Sequence, residues 1–309
     1  MNFVTDQIKY WVSPNSPLIK FPILGVLVLA VGGGFVPTFA KLALEGMGSW
    51  TLLSIRFFFA TLLLFSFIPS EKRTFGNVKE LKIVSFAGFG NPLFLFLALP
   101  TISASIVPIA YSLTPALAYL FYVSFRGHKL EFVKILSLLI GVAGVSIVIY
   151  FDSQIEFKLN TGLVLLCLGV ISFSIFTIFS SEIQSARDHF YQPIDIAFHF
   201  CLVSLLASIP FTFFEIINDG GLHPDLGVSH IFYAFVIGSF GTAWQYLFMG
   251  SMFSAHKAVA TSLFTLLQPI IGVLLSVILL DEPLTKWLVI GGFMAIFGAK
   301  LYSYVPKST

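Results

Sequence analysis

Polar side chains that could bind a solute lie within long apolar runs of this sequence. Gln268 stands beside Pro269 in the middle of the apolar run 262–280. A buried amide is costly unless it has a hydrogen-bond partner, so Gln268 should face another helix or a bound solute. Proline lacks a backbone N–H, so Pro269 leaves the carbonyl of Thr265 without a helical partner. The two residues together indicate a polar point at which a helix is loosened.

Several other apolar runs contain comparable residues. Large amide, indole and phenol groups need specific partners at depth, whereas serine and threonine can bond their own helix or join two helices. The candidate substrate-binding residues are Thr38, Asn91, Tyr111, Thr114, Ser174, Trp244, Gln245, Tyr246 and Gln268. The candidate helix breaks, which could also act as gates, are Gly34, Pro37, Pro92, Pro115, Gly241 and Pro269.

The sequence offers little for catalysis. It contains neither an HExxH nor a GxSxG motif, and its six histidines are scattered along the chain. We therefore predict no catalytic residue, no metal site and no cofactor. Asp195 and His199 share a helix face, which would suit a proton relay. The simpler interpretation places Asp195 at a helix start and has His199 bonded by a neighbouring helix.

Arg56 lies inside an apolar run, about two turns from its predicted outer end. Long basic side chains in membranes often extend toward the surface, where their charge stays in water. We expect Arg56 to do so, although burial against helix C-termini and substrate binding are both open.

Composition places these residues in a membrane. Of 309 residues, 57% are hydrophobic and only 10% are charged, and the mean hydropathy is +0.94. Apolar runs long enough to cross about 30 Å of hydrocarbon recur along the whole chain. The net charge of +2, without a basic patch, argues against a nucleic-acid partner. The predicted fold is therefore an all-α polytopic membrane protein in contact with the lipid bilayer.

Ten membrane-spanning segments are predicted from the apolar runs. All should be helical, because lipid offers no partner for unpaired backbone groups. Their expected bounds are 20–41, 50–69, 80–99, 102–124, 131–151, 161–181, 193–214, 230–252, 257–280 and 285–304. A cleaved signal peptide ending near Ala30 is a weaker alternative for the first run, because the apolar stretch continues to Ala40.

The positive charges predict the orientation of these helices. With the N-terminus in the cytoplasm, 13 lysines and arginines fall on inner segments and 3 on outer ones, with Arg56 inside a span. Cytoplasmic loops are enriched in these residues, so both termini should be cytoplasmic. We expect a multi-pass protein of the cytoplasmic (inner) membrane.

The two halves of the chain show a weak internal repeat. Aligning Pro115 with Pro269 also aligns Leu130 with Leu284 and Gly144 with Gly298. Each half has five predicted spans, and an odd number means that the second copy enters the membrane in the opposite sense. The expected organisation is a cytoplasmic segment 1–19, a first copy 20–151, an outer linker 152–160, a second copy 161–304 and a cytoplasmic tail 305–309.

The second copy carries a resemblance to a known family. AVATSLFTLLQPIIGVLLSVILLDEPLTKWLVIGGFMAIFGAKLY resembles an EamA repeat of the drug/metabolite transporter superfamily, with Glu282 in the acidic turn and Gly291-Gly292 in the final helix. Arg56 resembles the family's early arginine. The first copy departs from the pattern at Gly127-His128, where the family often has an acidic turn. The resemblance implies ten helices in two inverted repeats of five, and transport of small metabolites.

We therefore expect alternating-access transport of a small metabolite, amino-acid-like or otherwise organic, by a monomer or homodimer. Export is the direction that the resemblance favours. Uptake or exchange of a nucleotide-like metabolite such as S-adenosylmethionine is an alternative, and a non-transport membrane enzyme or assembly subunit is a more remote one.

Overall fold

The computed structural model describes residues 22–67, 79–126, 131–151, 161–185, 193–249 and 257–304. The predicted segments 1–19, 152–160 and 305–309 lie outside these residues. The helices are α1 (Pro22–Leu44), α2 (Ser49–Phe67), α3 (Lys79–Ala98), α4 (Ile106–Tyr111), α5 (Thr114–Arg126), α6 (Phe132–Phe151), α7 (Thr161–Ser185), α8 (Pro193–Asn218), α9 (Val228–Gly238), α10 (Lys257–Leu279) and α11 (Lys286–Tyr304).

These helices form ten spans, so the predicted fold class is confirmed. The fourth span consists of α4 and α5. The eighth consists of α9, a π-helical segment Ser239–Trp244 and a helical continuation to residue 249. Seven of the described segments are each long and apolar enough to cross a membrane. The largest differences from the predicted bounds are four residues: the fourth span begins at Ile106 rather than at 102, and the sixth and seventh spans end at Ser185 and Asn218 rather than at 181 and 214.

The outer surface of the bundle is apolar. Phenylalanine side chains such as Phe132, Phe293 and Phe58 are largely exposed there. The interior contains other apolar side chains, including the fully buried Phe57 and Phe96. A helix that is apolar on every side can face lipid on one side and pack against other helices on the opposite side. The polar groups of the interior are thus kept away from lipid by this apolar shell.

Helix packing follows the predicted internal repeat. Spans two and seven pack on each other as α2 and α8, and spans five and ten pack as α6 and α11. The first span packs on the ninth, and the sixth packs on the fourth. The third span packs on the sixth, and the eighth packs on the first. Each contact therefore has a counterpart when the two sets of five spans are exchanged, as expected of two copies related by a two-fold axis.

The contact between α6 and α11 shows this relation in detail. A Cβ placed on Gly144 would lie 2.5 Å from the carbonyl oxygen of Gly291, and one on Gly298 would lie 2.6 Å from that of Ser137. Gly144 and Ser137 precede Gly298 and Gly291, respectively, by the same 154 positions that separate Pro115 from Pro269. The two halves of this contact are equivalent, and glycine lets the two backbones meet.

The fourth and ninth spans differ despite this relation. In the fourth, α4 ends at Tyr111 and α5 begins at Thr114, so the helix is interrupted directly before Pro115. Proline is well tolerated in a first helical turn because its missing N–H would have no helical partner there. In the ninth, α10 continues through Pro269 without interruption.

Candidate functional site

Arg56 lies inside the bundle, and the expectation that it reaches the membrane surface is wrong. Its side chain is only 4% exposed. Its Nε donates a hydrogen bond of 2.7 Å to Oγ1 of Thr242 in the π-helical segment. Its guanidinium carbon lies 5.3 and 5.0 Å from the ring centres of Phe57 and Phe96, respectively. A hydroxyl and two aromatic faces take the place of water, which favours an inward orientation.

Asn91, Tyr111 and Tyr246 meet beside Arg56. The hydroxyl of Tyr111 in α4 donates a hydrogen bond to Oδ1 of Asn91 in α3. The Asn91 side chain also lies near Tyr246 in the eighth span. Both tyrosines interact electrostatically with the guanidinium of Arg56. With Thr242, these residues form what we call the arginine cluster: Arg56, Asn91, Tyr111, Thr242 and Tyr246.

Gln245 and Gln268 form a second polar group, which we call the amide pair. A Cβ placed on Gly33 of α1 would lie 2.6 Å from Nε2 of each glutamine. Glycine at this position therefore leaves the space that the two amides occupy. Gln268 lies 11 residues from the C-terminal end of α10, or about 16 Å along the helix. The amide pair thus lies near the middle of the membrane, between spans one, eight and nine.

Trp244, Gln245 and Tyr246 are consecutive but face different neighbours. Trp244 stacks on Phe248, with ring centres 5.8 Å apart, and packs in an apolar cluster with α1. Tyr246 contacts the ring of Phe200 at 4.9 Å. Successive helical residues are rotated by about 100°, so such a run cannot face one site. The structure brings Gln245 and Tyr246 to polar groups and Trp244 to an apolar one.

Three smaller candidates have mainly structural surroundings. Thr38 is fully buried and bonds Ser276 of α10 at 3.1 Å, joining spans one and nine. Ser174 donates to the carbonyl of Val170 in its own helix at 2.7 Å. Thr114 is buried at the start of α5, and within the described part of the chain its Oγ1 has no hydrogen-bond partner.

The candidate helix breaks occupy different kinds of position. Pro37, Pro92 and Pro269 lie inside continuous helices, whereas Pro115 follows the interruption between α4 and α5. Gly241 lies in the π-helical segment, where a Cβ would meet Val36 at 2.5 Å. Gly34 lies close to the backbone of α10, with its Cβ position 3.1 Å from the nitrogen of Gly272.

Glu282 binds the start of α4 at the end of the bundle that the predicted orientation places outside. Its Oε1 and Oε2 accept backbone N–H bonds of 2.7 Å from Ala104 and 2.9 Å from Ser105. Nζ of Lys41 lies 3.2 Å from Oε1 and also donates to the carbonyl of Ile102 at 2.9 Å. We call Lys41, Ala104, Ser105 and Glu282 the outer cluster. It connects α1, α4 and the turn between α10 and α11.

The charge of Glu282 is stabilised by these contacts. Burial raises the pKa of its carboxyl, but the hydrogen bonds from Ser105 and Ala104 and the charge of Lys41 outweigh burial. The pKa of Glu282 is therefore lowered below its ordinary value. A carboxylate beside the N–H groups at a helix start is also favoured by the helix dipole. Glu282 is thus an anion at neutral pH.

The remaining charged candidates lie away from these groups. Asp195 lies in the first turn of α8, and Nδ1 of His199 is 2.8 Å from the backbone carbonyl of Asp195. His199 is thus bonded within its own helix rather than by a neighbouring one. Across the described residues, no group of three or more His, Cys, Asp or Glu side chains is placed to hold a metal ion.

Sequence reasoning missed two contacts at the outer end. Glu215 of α8 accepts N–H bonds from Trp50 and Thr51 at 3.2 and 2.8 Å, at the first turn of α2. Lys41, one of the three basic residues predicted on outer segments, pairs with Glu282. Glu215 and Lys41 are each a single charged residue at the end of a predicted helix. That position was the sequence feature from which their contacts could have been predicted.

Apolar spans around a polar interior define a multi-pass membrane protein. The EamA-like transporter family model matches the chain over residues 20–150 and 160–304. The chain therefore belongs to the EamA-like transporter family, within the drug/metabolite transporter superfamily. Membership identifies the general activity as membrane transport of a small solute.

Two individual proteins are similar over nearly the whole chain. An uncharacterized transporter of Archaeoglobus fulgidus is 26% identical over 294 residues, covering 93% of this chain and 99% of the relative. One solved crystal structure of a protein has the same fold, with a TM-score of 0.63 at 15% identity. It covers 90% of this chain and 98% of that chain.

Proposed function

We propose that this protein exports a small organic metabolite across the cytoplasmic membrane by alternating access, with the substrate bound at the arginine cluster and the amide pair. The observation that carries the proposal is the convergence of polar side chains from spans two, three, four, eight and nine inside an apolar shell. Broken helices in transporters present such groups near the midplane. Here the interruption before Pro115 and the π-helical segment carry or flank members of the arginine cluster.

The residues of the amide pair suit binding better than packing. Gln245 and Gln268 are only partly buried, although both face α1. Partial exposure inside a bundle supports access for water or a solute. An amide can both donate and accept, so the pair can bond hydroxyl, amine or carbonyl groups of a metabolite.

The orientation and the outer cluster support the mechanism. The excess of lysine and arginine on inner segments, 13 against 3, supports cytoplasmic termini. With that orientation the outer cluster lies on the side away from the cytoplasm. Its contacts join α1, α4 and the α10–α11 turn, which supports closure of the substrate path at that end. Transport would then require these contacts to separate.

The test is transport by the purified chain in proteoliposomes. A panel of labelled metabolites is measured in both directions, with and without a pH gradient. We expect at least one metabolite to cross, and Gln245→Ala and Gln268→Ala to lower its flux about tenfold, as expected for a lost hydrogen bond to a desolvated group.

The matched controls are Phe240→Ala and Ile278→Ala, which remove exposed side chains from the same two spans. Both should keep wild-type flux and wild-type membrane levels. Unchanged flux in both glutamine variants would remove the amide pair from the site. Absence of flux for the whole panel would contradict the proposed transport.

A further inference from the structure

We propose that the substrate carries an oxyanion, a carboxylate or a phosphate, and that Arg56 binds it; this inference rests on the proposed transport function. Arg56 lies seven residues from the outer end of α2, or about 10 Å along the helix. At 4% exposure its charge is removed from both water and the membrane surface. A cation buried at that depth requires a partner or a function.

The hydrogen bonds of Arg56 leave donors unused. A guanidinium has five N–H donors in one plane. Nε is bonded to Thr242, but within the described residues Nη1 is buried and has no hydrogen-bond partner. The rings of Phe57 and Phe96 contact the cation without accepting its N–H groups in the plane. An acceptor is therefore missing at Nη1.

Within the described part of the chain, the charge of Arg56 also lacks a counter-ion. Among the described residues, no carboxylate lies within 4.0 Å of its guanidinium. The titratable side chains that interact with it are Tyr246, Cys201 and Tyr111. Tyrosine and cysteine are ordinarily neutral at pH 7. A buried cation with only neutral neighbours is destabilising, and a bound anion would remove that cost.

The surrounding groups indicate the chemistry of the missing anion. Arginine forms paired, parallel hydrogen bonds with carboxylate and phosphate oxygens. The Tyr111 hydroxyl already donates to Asn91, whereas the hydroxyl of Tyr246, which also interacts with the guanidinium, can donate to a further oxygen. The amide pair would contact the uncharged part of the same solute. The oxyanion subsite therefore consists of Arg56 and Tyr246, with the bonded pair of Tyr111 and Asn91 beside them.

A structural role for Arg56 predicts something different. If its purpose were to join α2 to the eighth span, neutral replacements would destabilise the apo-protein. If its charge is uncompensated until substrate binds, Arg56→Gln should leave the apo-protein as stable as the wild type, or more stable. The melting temperature without ligand therefore distinguishes a binding role from a packing role.

The experiment uses the purified full-length chain in nanodiscs. Its melting temperature is measured with carboxylates, with their neutral amides, with phosphate monoesters and with their dephosphorylated counterparts. We expect stabilisation by an oxyanion probe and none by its neutral counterpart, because a ligand that binds only the folded state raises its stability. The carboxylate and phosphate arms separate the two sources of the oxyanion.

Variants locate the site. Arg56→Gln should weaken binding of the stabilising probe by about tenfold or more. Arg56→Lys should retain part of the binding, and Phe58→Ala on the lipid-facing side of α2 should retain all of it. Unaltered probe binding by Arg56→Gln would overturn the assignment. If that variant does not fold, a packing role is favoured, and the wild-type probe pairs still decide whether an oxyanion binds.

The two proposals fail in different ways. Equal stabilisation by anionic and neutral probes, or transport of neutral and cationic solutes only, overturns the oxyanion subsite and leaves transport intact. A wild-type chain that neither binds nor moves any member of either panel overturns both proposals.

Discussion

Glu282 and Arg56 keep their charges inside this bundle in opposite ways. Glu282 is 6% exposed and accepts two backbone N–H bonds while pairing with Lys41. Arg56 is equally buried but has a hydroxyl and aromatic rings around it. A satisfied charge stabilises one conformation, whereas an unsatisfied one favours whatever ligand supplies its partner. The same physical rule is the basis for proposing closure for Glu282 and substrate binding for Arg56.

Replacing Glu282 with glutamine should destabilise the protein at neutral pH. The variant loses the hydrogen bonds between a charged carboxylate and the N–H groups at the start of α4. Hydrogen bonds to a charged, desolvated group contribute roughly 1.5–3 kcal/mol to stability. Because the folded-state pKa is lowered, this stabilisation is complete above the ordinary value of 4.5 and is lost as the pH falls through the lowered pKa. Thermal unfolding of both proteins from pH 7 to pH 3 should show a stability difference that narrows below about pH 4.5.

Asp281→Asn is the matched control. Asp281 is exposed, and its φ of 51° is a conformation that asparagine also adopts readily. This variant should unfold like the wild type at every pH. A Glu282→Gln profile that runs parallel to the wild type down to pH 3 would mean that the outer cluster does not depend on the Glu282 charge.

At the residue level, the sequence predicted which polar residues take part in the candidate site better than it predicted the directions of their side chains. It identified Asn91, Tyr111 and Tyr246, which the structure brings together. It could not separate Trp244 from Gln245, because their directions depend on the exact phase of the π-helical segment. It assigned Arg56 to the surface because the ring of Phe96 and the hydroxyl of Thr242, which help to hold it, come from distant parts of the chain.

Helix pairs in this bundle are held by backbone contact as well as by side chains. In the α6–α11 pair, the Cβ position of Gly291 lies only 2.4 Å from the carbonyl oxygen of Gly144. Without a hydrophobic effect between helices in lipid, such close packing supplies much of the association energy. The small residues of this pair are therefore structural.

Gly291→Ala should separate α6 from α11. The added methyl would overlap backbone atoms that cannot rotate away, and overpacking of this kind costs about 1–3 kcal/mol or more. The adjacent Gly292→Ala would meet Cδ1 and Cγ1 of Ile109, at 3.3 and 3.9 Å, and that side chain can move. Melting temperatures of the two variants in one detergent should show a clear loss for Gly291→Ala and a small change for Gly292→Ala.

The reverse order, or equal effects, would show that the backbones are not in contact there. Flux measurements are not needed for this comparison, because neither glycine belongs to the arginine cluster or the amide pair.

Helix bounds were predictable to within a few residues because charge and turn residues end each apolar run. The sixth span was expected at 161–181 and runs to Ser185, and the tenth was expected at 285–304 and begins at Lys286. The late start of the fourth span was not predictable. Ala104 and Ser105 give their N–H groups to Glu282, a residue 178 and 177 positions away, rather than to a continuous helix. Long-range hydrogen bonds of this kind leave no local pattern.

The whole molecule combines two copies of one unit with opposite orientations. Ser54 of α2 donates to Ser208 of α8 at 2.9 Å, and the two serines are 154 positions apart. Equivalent residues that touch each other lie on the axis relating the copies. Such an arrangement can exchange inner and outer access by moving one copy against the other. The orientation of the bundle in the membrane then determines which end of the substrate path opens to the cytoplasm and which opens to the outside.

Thiol labelling in intact cells tests that direction. Asp219→Cys places a thiol after α8 at an exposed position, and Lys129→Cys places one between α5 and α6. With both termini cytoplasmic, a membrane-impermeant maleimide should label the first variant from outside and label the second only after the cells are opened. The wild-type chain is the background control, because Cys201 is buried and Cys167 lies within the α7 span. Labelling of the Lys129→Cys variant in intact cells, with protection of Asp219→Cys, would reverse the orientation and place the outer cluster on the cytoplasmic side.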